Sequence, residues 1–403
     1  MSSRRLKHAA GLALLLLPLA SPDAAATPHD PTRSMRLHVG VPAGAAPMTG
    51  LDGARSNTTS QRLPLTPTLT FRARISGGVR GSVCADERGH VIASTLGNAL
   101  VEVDEKGNEV WSARPPAGML SSAPAILSDG SRVALTSTGS MFSVAAAGSP
   151  VRHVGLPLSA AARPIALLPV QSGGVVVGAG REVLWLAQDL SVRASAKTDE
   201  DLVESIQRGG NVLLVTGAGE VLEWRPPDAP RRIASFGGKV RTGALLSSKN
   251  HVSAVVDDTT LIDVNLKADT RHIRTQGTTT LEGPPTLLRN GELLVMDSQG
   301  LILGFSQKGL ETWRVATEPG VSPSTGSALG GLRAPPIVGG QGRVAIARPG
   351  LDVAVVSANG SLLSARGTAC PDPESLVPAG PGRLVLACAS GELFGIANGK
   401  NRQ

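Results

Sequence analysis

The chain has 403 residues, a net charge of +7, 48 Gly, 29 Pro, 4 Trp, 5 Phe and no Tyr. That length exceeds one ordinary core, so it holds two or three domains or one repetitive domain, and 41% hydrophobic content excludes wholesale disorder. Three cysteines exclude a disulfide-dense scaffold and cannot by themselves form a four-ligand zinc site.

Residues 1–26 read as a secretory signal peptide. Arg4, Arg5 and Lys7 make a positive start, residues 11–20 are apolar, and Ala24-Ala25-Ala26 supplies a small-residue cleavage site. The apolar run is shorter than the ~20 residues of a membrane span, and no other stretch approaches that length. Ser3-Arg4-Arg5 hints at twin-arginine export, but no Phe-Leu follows, which favours general secretion. No Cys stands near the cleavage point to carry a lipid. The expected location is therefore secreted or periplasmic, without a transmembrane span.

Losing residues 1–26 removes three cations and one anion and lowers the net charge from +7 to +5. Spread over a mixed surface, and with only 2% aromatic residues, this excludes a stacking groove for nucleic acid and disfavours sugar platforms. Residues 27–66 read as an extended lead-in and residues 67–400 as one repetitive domain.

The repeat has a period near forty. Gly97, Gly139, Gly180, Gly219, Asp258, Gly300, Gly350 and Gly391 mark one turn in each copy, separated by 42, 41, 39, 39, 42, 50 and 41 residues. A branched apolar run precedes each mark, as in Val91-Ile92-Ala93 and Val212-Leu213-Leu214-Val215, and a second follows it, as in Ala99-Leu100-Val101-Glu102-Val103 and Leu261-Ile262-Asp263-Val264. These are strands of sheets buried on both faces. Four strands of ~5–6 residues with hairpin loops of ~2–5 fill about forty residues. A four-stranded sheet cannot bury both faces alone, and stacking eight around an axis solves that problem. The expected fold is all-β, an eight-bladed β-propeller of four-stranded antiparallel blades. Seven blades are the alternative, because the 50-residue gap holds a Gly-, Ser- and Pro-rich insertion at 318–332.

Pro124, Pro164, Pro285 and Pro336 precede their marks by 15, 16, 15 and 14 residues, among small neighbours. Proline lacks a ladder donor and sits at a sheet edge or strand start, so these segments are expected to edge the central channel. Outer strands are expected at Gly107-Asn108-Glu109-Val110-Trp111 and Gly309-Leu310-Glu311-Thr312-Trp313. The last copy, ending near Asn398, lacks one. Leu69-Thr70-Phe71-Arg72-Ala73-Arg74 is expected to supply it and close the ring.

The cycle of small residues, Pro, strand, Gly, strand and Trp, seen in Ser121 to Gly139 and in Asp104 to Trp111, resembles the PQQ-like β-propeller family. The lead-in Pro47-Met48-Thr49-Gly50-Leu51-Asp52-Gly53-Ala54-Arg55-Ser56, followed by Leu63-Pro64-Leu65, also looks like that family's run before its first blade. The resemblance covers residues 47–400 and implies the fold. Members include quinoprotein dehydrogenases, a lipoprotein of the outer-membrane β-barrel assembly machinery, and exported proteins without assigned roles. A dehydrogenase would imply a calcium-bound quinone in the channel beside a disulfide between adjacent cysteines, stacked on Trp. Here Cys84, Cys370 and Cys388 include no adjacent pair, and the chain is short for that class. WD40 propellers share the period, but no Trp-Asp pair occurs.

Other constellations are weak. His29, His38, His90, His153, His251 and His272 lack metal-type spacing and read as solvated turn residues. Gly340-Gln341-Gly342 reads as a blade hairpin, and Asp199, Glu200 and Asp201 as a solvated acidic loop. Cys370 and Cys388 lie 18 residues apart in one blade. Two readings stand: a disulfide contributing ~3 kcal/mol, or a buried Cys388 with Cys370 free. Cys84 is expected buried and inert. The functional expectation is a monomeric scaffold, without catalysis or cofactor, that binds a protein of the cell envelope. A quinone- and calcium-binding oxidoreductase-like protein, or an outer-membrane-protein assembly factor, is the alternative. Candidate partner-binding residues at the channel mouth are Arg80, Arg163, Glu204, Arg241, Glu282, Arg333 and Glu374, whose alternating sign favours a protein over a polyanion.

Overall fold

The computed structural model describes residues 46, 48–145, 152–159, 162–276, 280–298, 301–316, 334–347 and 352–399. Their thirty-two strands form eight four-stranded antiparallel sheets, an eight-bladed β-propeller with no helix among the described residues. Blades 1 to 7 each take four consecutive strands. Blade 1, for example, runs Cys84–Ala85, Val91–Ser94, Leu100–Val103 and Glu109–Ala113 from axis to rim. Blade 8 takes Pro373–Pro378, Arg383–Cys388 and Glu392–Asn398, and its rim strand is the N-terminal Pro67–Arg74. The ring is thus closed by a strand more than three hundred residues distant in sequence, paired from Pro67 with Asn398 to Arg74 with Glu392.

Burial follows position in the blade. Second and third strands are mostly buried, and Val175–Ala179 in blade 3 and Ser140–Val144 in blade 2 are buried throughout, because neighbouring blades cover both their faces. Rim strands alternate, as in Val192–Lys197 of blade 3, since one face meets solvent. The inner strands contact one another around the axis in sequence order, which places all eight with the same polarity along the channel. Pro124 and Pro336 stand immediately before inner strands, and Pro285 lies where the pairing register breaks between Glu282 and Thr286.

Gly300 and Gly350 lie outside the described residues; in the described copies the marking turn takes a positive φ. Gly139 (73°), Gly180 (57°), Gly219 (81°) and Gly391 (93°) supply it, and Asp258 (62°) occupies the same conformation, which short polar side chains tolerate. In blade 1 the requirement falls on Asn98 (61°), one residue after Gly97. Rim aromatics lie over glycines of the adjacent strand. Trp313 pairs with Gly304, Phe71 is next to Gly395, and a Cβ on either glycine would meet the ring at 2.7 and 2.2 Å respectively. Phe71 thereby latches the closing strand.

Cys370 and Cys388 form a disulfide with Cα atoms 5.9 Å apart, joining the approach to blade 8's inner strand to the end of its second strand. Cys84 is free and fully buried.

The lead-in does not trail along the surface. Ala46 bridges Ala85 in blade 1, and Met48 joins an apolar cluster shared by blades 2, 3 and 4. Gly53 accepts the Gln207 N–H of blade 4, Ala54 that of Leu246 in blade 5, and Ser56 that of Leu287 in blade 6. Thr58 bridges Val338 in blade 7, and Arg62 accepts the Gly382 N–H of blade 8. One short segment therefore reaches every blade, at or beyond the C-terminal halves of the inner strands. It lies across that end of the channel.

Candidate functional site

The lead-in's route distinguishes the two ends of the ring. At the end it covers, Arg55 is the hub. Its Nη2 donates to the Ala166 and Leu167 carbonyls of blade 3 at 3.0 and 3.1 Å, its Nε donates to the Ser205 carbonyl at 3.1 Å, and its Nη1 donates to Thr49. The same Nε lies 3.2 Å from Glu204 Oε1, and both side chains are buried. Glu204 also accepts the Ser205 N–H at 3.0 Å. Burial pushes the Glu204 carboxyl above its usual range, and the Arg55 charge and the Ser205 amide only partly offset this. Around this pair Asp52, Ser56, Asn57, Thr58 and Thr59 are buried and polar. Asp52 accepts from the Ser56 N–H and hydroxyl, and the Asn57 amide donates to Thr286. These residues complete a packed, hydrogen-bonded closure.

The other end is ringed by residues at the N-terminal starts of the inner strands. At the junction of blades 1 and 8, Glu374 accepts the N–H of Gly81, the residue after Arg80, at 3.0 Å. Burial raises the Glu374 carboxyl above its usual range, the Gly81 bond opposes this, and the nearby Asp372 charge adds to it. Arg80 Nε is buried with no hydrogen-bond partner among the described residues. Arg163 is exposed just before blade 3's inner strand. Arg241 is exposed and pairs with Asp258 at 2.9 Å, and Glu282 is half-buried at the start of blade 6. Arg181 and Asp201 form a further exposed pair, at 3.5 Å.

Of the seven residues expected at the mouth, Arg80, Arg163, Arg241, Glu282 and Glu374 stand around this end, and Arg333 lies outside the described residues. Glu204 sits deeper, engaged by the lead-in. The ring as built combines cations and carboxylates on separate blades.

A second constellation went unread in the sequence. Asp86, His90 and Glu102 bring ligand-type atoms within 4.8 Å of one another in blade 1. His90 is therefore not a solvated turn residue: its Nδ1 lies 2.8 Å from Glu102. The charge of this cluster is already balanced. Arg132 of blade 2, itself buried, reaches Glu102 at 2.9 Å and Asp86 at 3.2 Å, and Arg88 reaches them at 3.2 and 2.8 Å. The arrangement ties blade 1 to blade 2 through guanidinium groups in the place a cation would take. Third-strand acids recur in the same way. Glu223 is held by Arg208, Asn211 and Arg225, and Asp263 by Ser247, Ser253 and Arg274.

No family model matches the chain, and no curated protein matches it in sequence. Solved structures do share its shape. The computationally designed Ika8 protein superposes with a TM-score of 0.66 at 12% identity, over 82% of this chain and 99% of that one. BamB from Moraxella catarrhalis gives 0.61 at 15%, over 84% and 99%, and the quinohemoprotein alcohol dehydrogenase from Comamonas testosteroni 0.69 at 9%, over 92% and 83%. At these identities the likeness shows the propeller fold and nothing finer.

Proposed function

We propose that this protein is an exported, non-catalytic propeller of the PQQ-like kind that binds a protein of the cell envelope through the end of the channel opposite the lead-in. The observation that carries this reading is the asymmetry of the channel. A buried lead-in touching all eight blades lies across one end, and charged residues of both signs, from separate blades, ring the other. Loops on a rigid scaffold are where recognition concentrates, and complementary charge steers and selects a partner. The same asymmetry favours a surface that reads a macromolecule from one side over a channel that passes a ligand through. Export rests on residues 1–26 as read from the sequence.

A photo-crosslinking residue at position 163 tests this in cells that make the protein, with position 152 on the rim strand of blade 2 as the control. A discrete cross-linked species from position 163, absent from 152 and diminished by Arg80→Glu with Arg241→Glu, supports the mouth. Equal cross-linking from both positions, or none from 163, refutes it. Quinone and calcium added to the purified protein should leave the absorption spectrum as the plain sum of the components. A new bound-quinone band would replace the scaffold reading with the oxidoreductase one.

A further inference from the structure

At the lead-in's end of the ring, away from the candidate mouth, a cleft of about 330 Å³ opens between blades 3 and 4. Its origin is a local reversal of the blade pattern. In blade 6 the rim strand carries the aromatic and the third strand the glycine, so Trp313 is covered. In blade 3 the third strand carries Trp185 and the rim strand opposite it carries Ala194. The small residue leaves the indole half-buried and lining the cleft. Trp185 is held from behind by the fully buried Trp224 of blade 4, edge to face with ring centroids 6.1 Å apart. Trp224 in turn donates its Nε1 to the Asp228 carbonyl at 3.1 Å, which fixes the turn that presents Pro226 and Pro227 to the opposite wall.

The charged part of the lining is cationic, with the neutral Asn211 beside it. Arg193 and Arg225 both contribute, and no carboxylate does. Arg225 spends one nitrogen on Glu223, and Arg193 lies within reach of the charge of the exposed Asp189 but forms no salt bridge with it among the described residues. Glu223, the acid nearest by bonding, is already enclosed by Arg208, Asn211 and Arg225. A flat apolar wall beside unspent guanidinium donors matches a planar ring carrying a carboxylate, the group that guanidinium binds in a two-pronged fashion. The volume lies at the low end for small-molecule sites, which suits one or two fused rings. We propose that this cleft is a binding site for a small aromatic carboxylate, independent of the partner-binding mouth.

The probe is naphthoate, followed by tryptophan fluorescence and calorimetry on the full chain, with naphthalenemethanol as the neutral ring and inorganic phosphate as the bare anion. Naphthoate should saturate below about 10 mM, the neutral ring should bind about tenfold more weakly, and phosphate should not compete. Gly210 lines the cleft, has no positive φ, and a Cβ there would meet nothing within 4 Å. Gly210→Phe should therefore fill the space and abolish binding while leaving the melting curve unchanged. Should that variant melt early, Arg193→Gln serves instead, since its side chain is exposed, and it should weaken naphthoate about tenfold. Absence of saturation, equal binding of the neutral ring, competition by phosphate, or unaltered affinity in Gly210→Phe or Arg193→Gln would each overturn the assignment.

Discussion

Replacing Arg55 by Met isolates what the lead-in does. The side chain keeps its bulk and loses its charge, so Glu204 is left buried with only the Ser205 amide for company. Removing one member of a buried pair costs about 3–5 kcal/mol, mostly from the stranded partner, and four carbonyls lose a donor as well. For a domain of this size about 4 kcal/mol lowers the melting temperature by roughly 6 °C. The defect should also depend on pH, with a definite sign. Glu204 already has a folded-state pKa above its unfolded value, so the folded state holds the proton more tightly. Its ionisation therefore subtracts stability as pH rises from the unfolded carboxyl range through the folded pKa, and below that range it costs nothing.

Without Arg55 the folded pKa climbs further, so Arg55→Met should be mildly destabilised in acid and increasingly so toward neutral pH. Adding Glu204→Gln should restore much of the neutral-pH loss and flatten the pH dependence. Urea unfolding at a series of pH values measures all three proteins. A loss in Arg55→Met below about 0.5 kcal/mol at neutral pH, or one that does not vary with pH, would refute the assignment of Arg55 and Glu204 as a coupled closure.

Three further outcomes follow from the packing. Gly395→Val places atoms where the Phe71 ring lies, so it should cost about 1–3 kcal/mol and raise amide exchange in Pro67–Arg74 ahead of the other rim strands; uniform exchange would argue against the latch. Native protein should expose no reactive thiol, because Cys84 is fully buried and burial pushes its pKa far up, while unfolding without reductant should reveal one. Reducing the Cys370–Cys388 bridge should add two more thiols and cost about 3 kcal/mol, read as a drop in the urea midpoint. Arg132→Met leaves Glu102 and Asp86 to the half-exposed Arg88 and to His90, and should cost about 1.5–3 kcal/mol, partly recovered by Glu102→Gln; a neutral Arg132→Met would show the buried member of the blade 1 network to be dispensable.

The ring was legible in the sequence because its constraints are local and repeated. A hairpin turn needing positive φ recurs about every forty residues, and Asp258 could be recognised in a glycine's place because it meets the same conformational demand. Strand closure was legible by elimination: the last copy lacked a rim strand and Leu69 to Arg74 had no other partner. The aromatic-over-glycine contact was visible only as a glycine and a tryptophan at regular spacing, since the register that superposes Trp313 on Gly304 belongs to the folded sheet.

The closure at the channel end escaped for the opposite reason. Residues 52–61 are polar and glycine-containing, a composition that reads as an exposed linker, yet Arg55, Ser56 and Asn57 are each only 2% exposed. What buries them lies far away in sequence: Arg55 bonds to Leu167, 112 residues on, and Asn57 to Thr286, 229 residues on. A polar segment can be buried only where another part of the chain meets its hydrogen bonds, and no local pattern records that meeting. The blade 1 network was hidden likewise, because Arg132 belongs to the next blade. Glu204 illustrates both sides. Its place on an inner strand could be read from the repeat, but whether it faces a partner or a plug depends on where the lead-in runs. The candidate mouth residues are those at the ends of the inner strands opposite the lead-in, so the candidate site is defined by the plug as much as by the repeats.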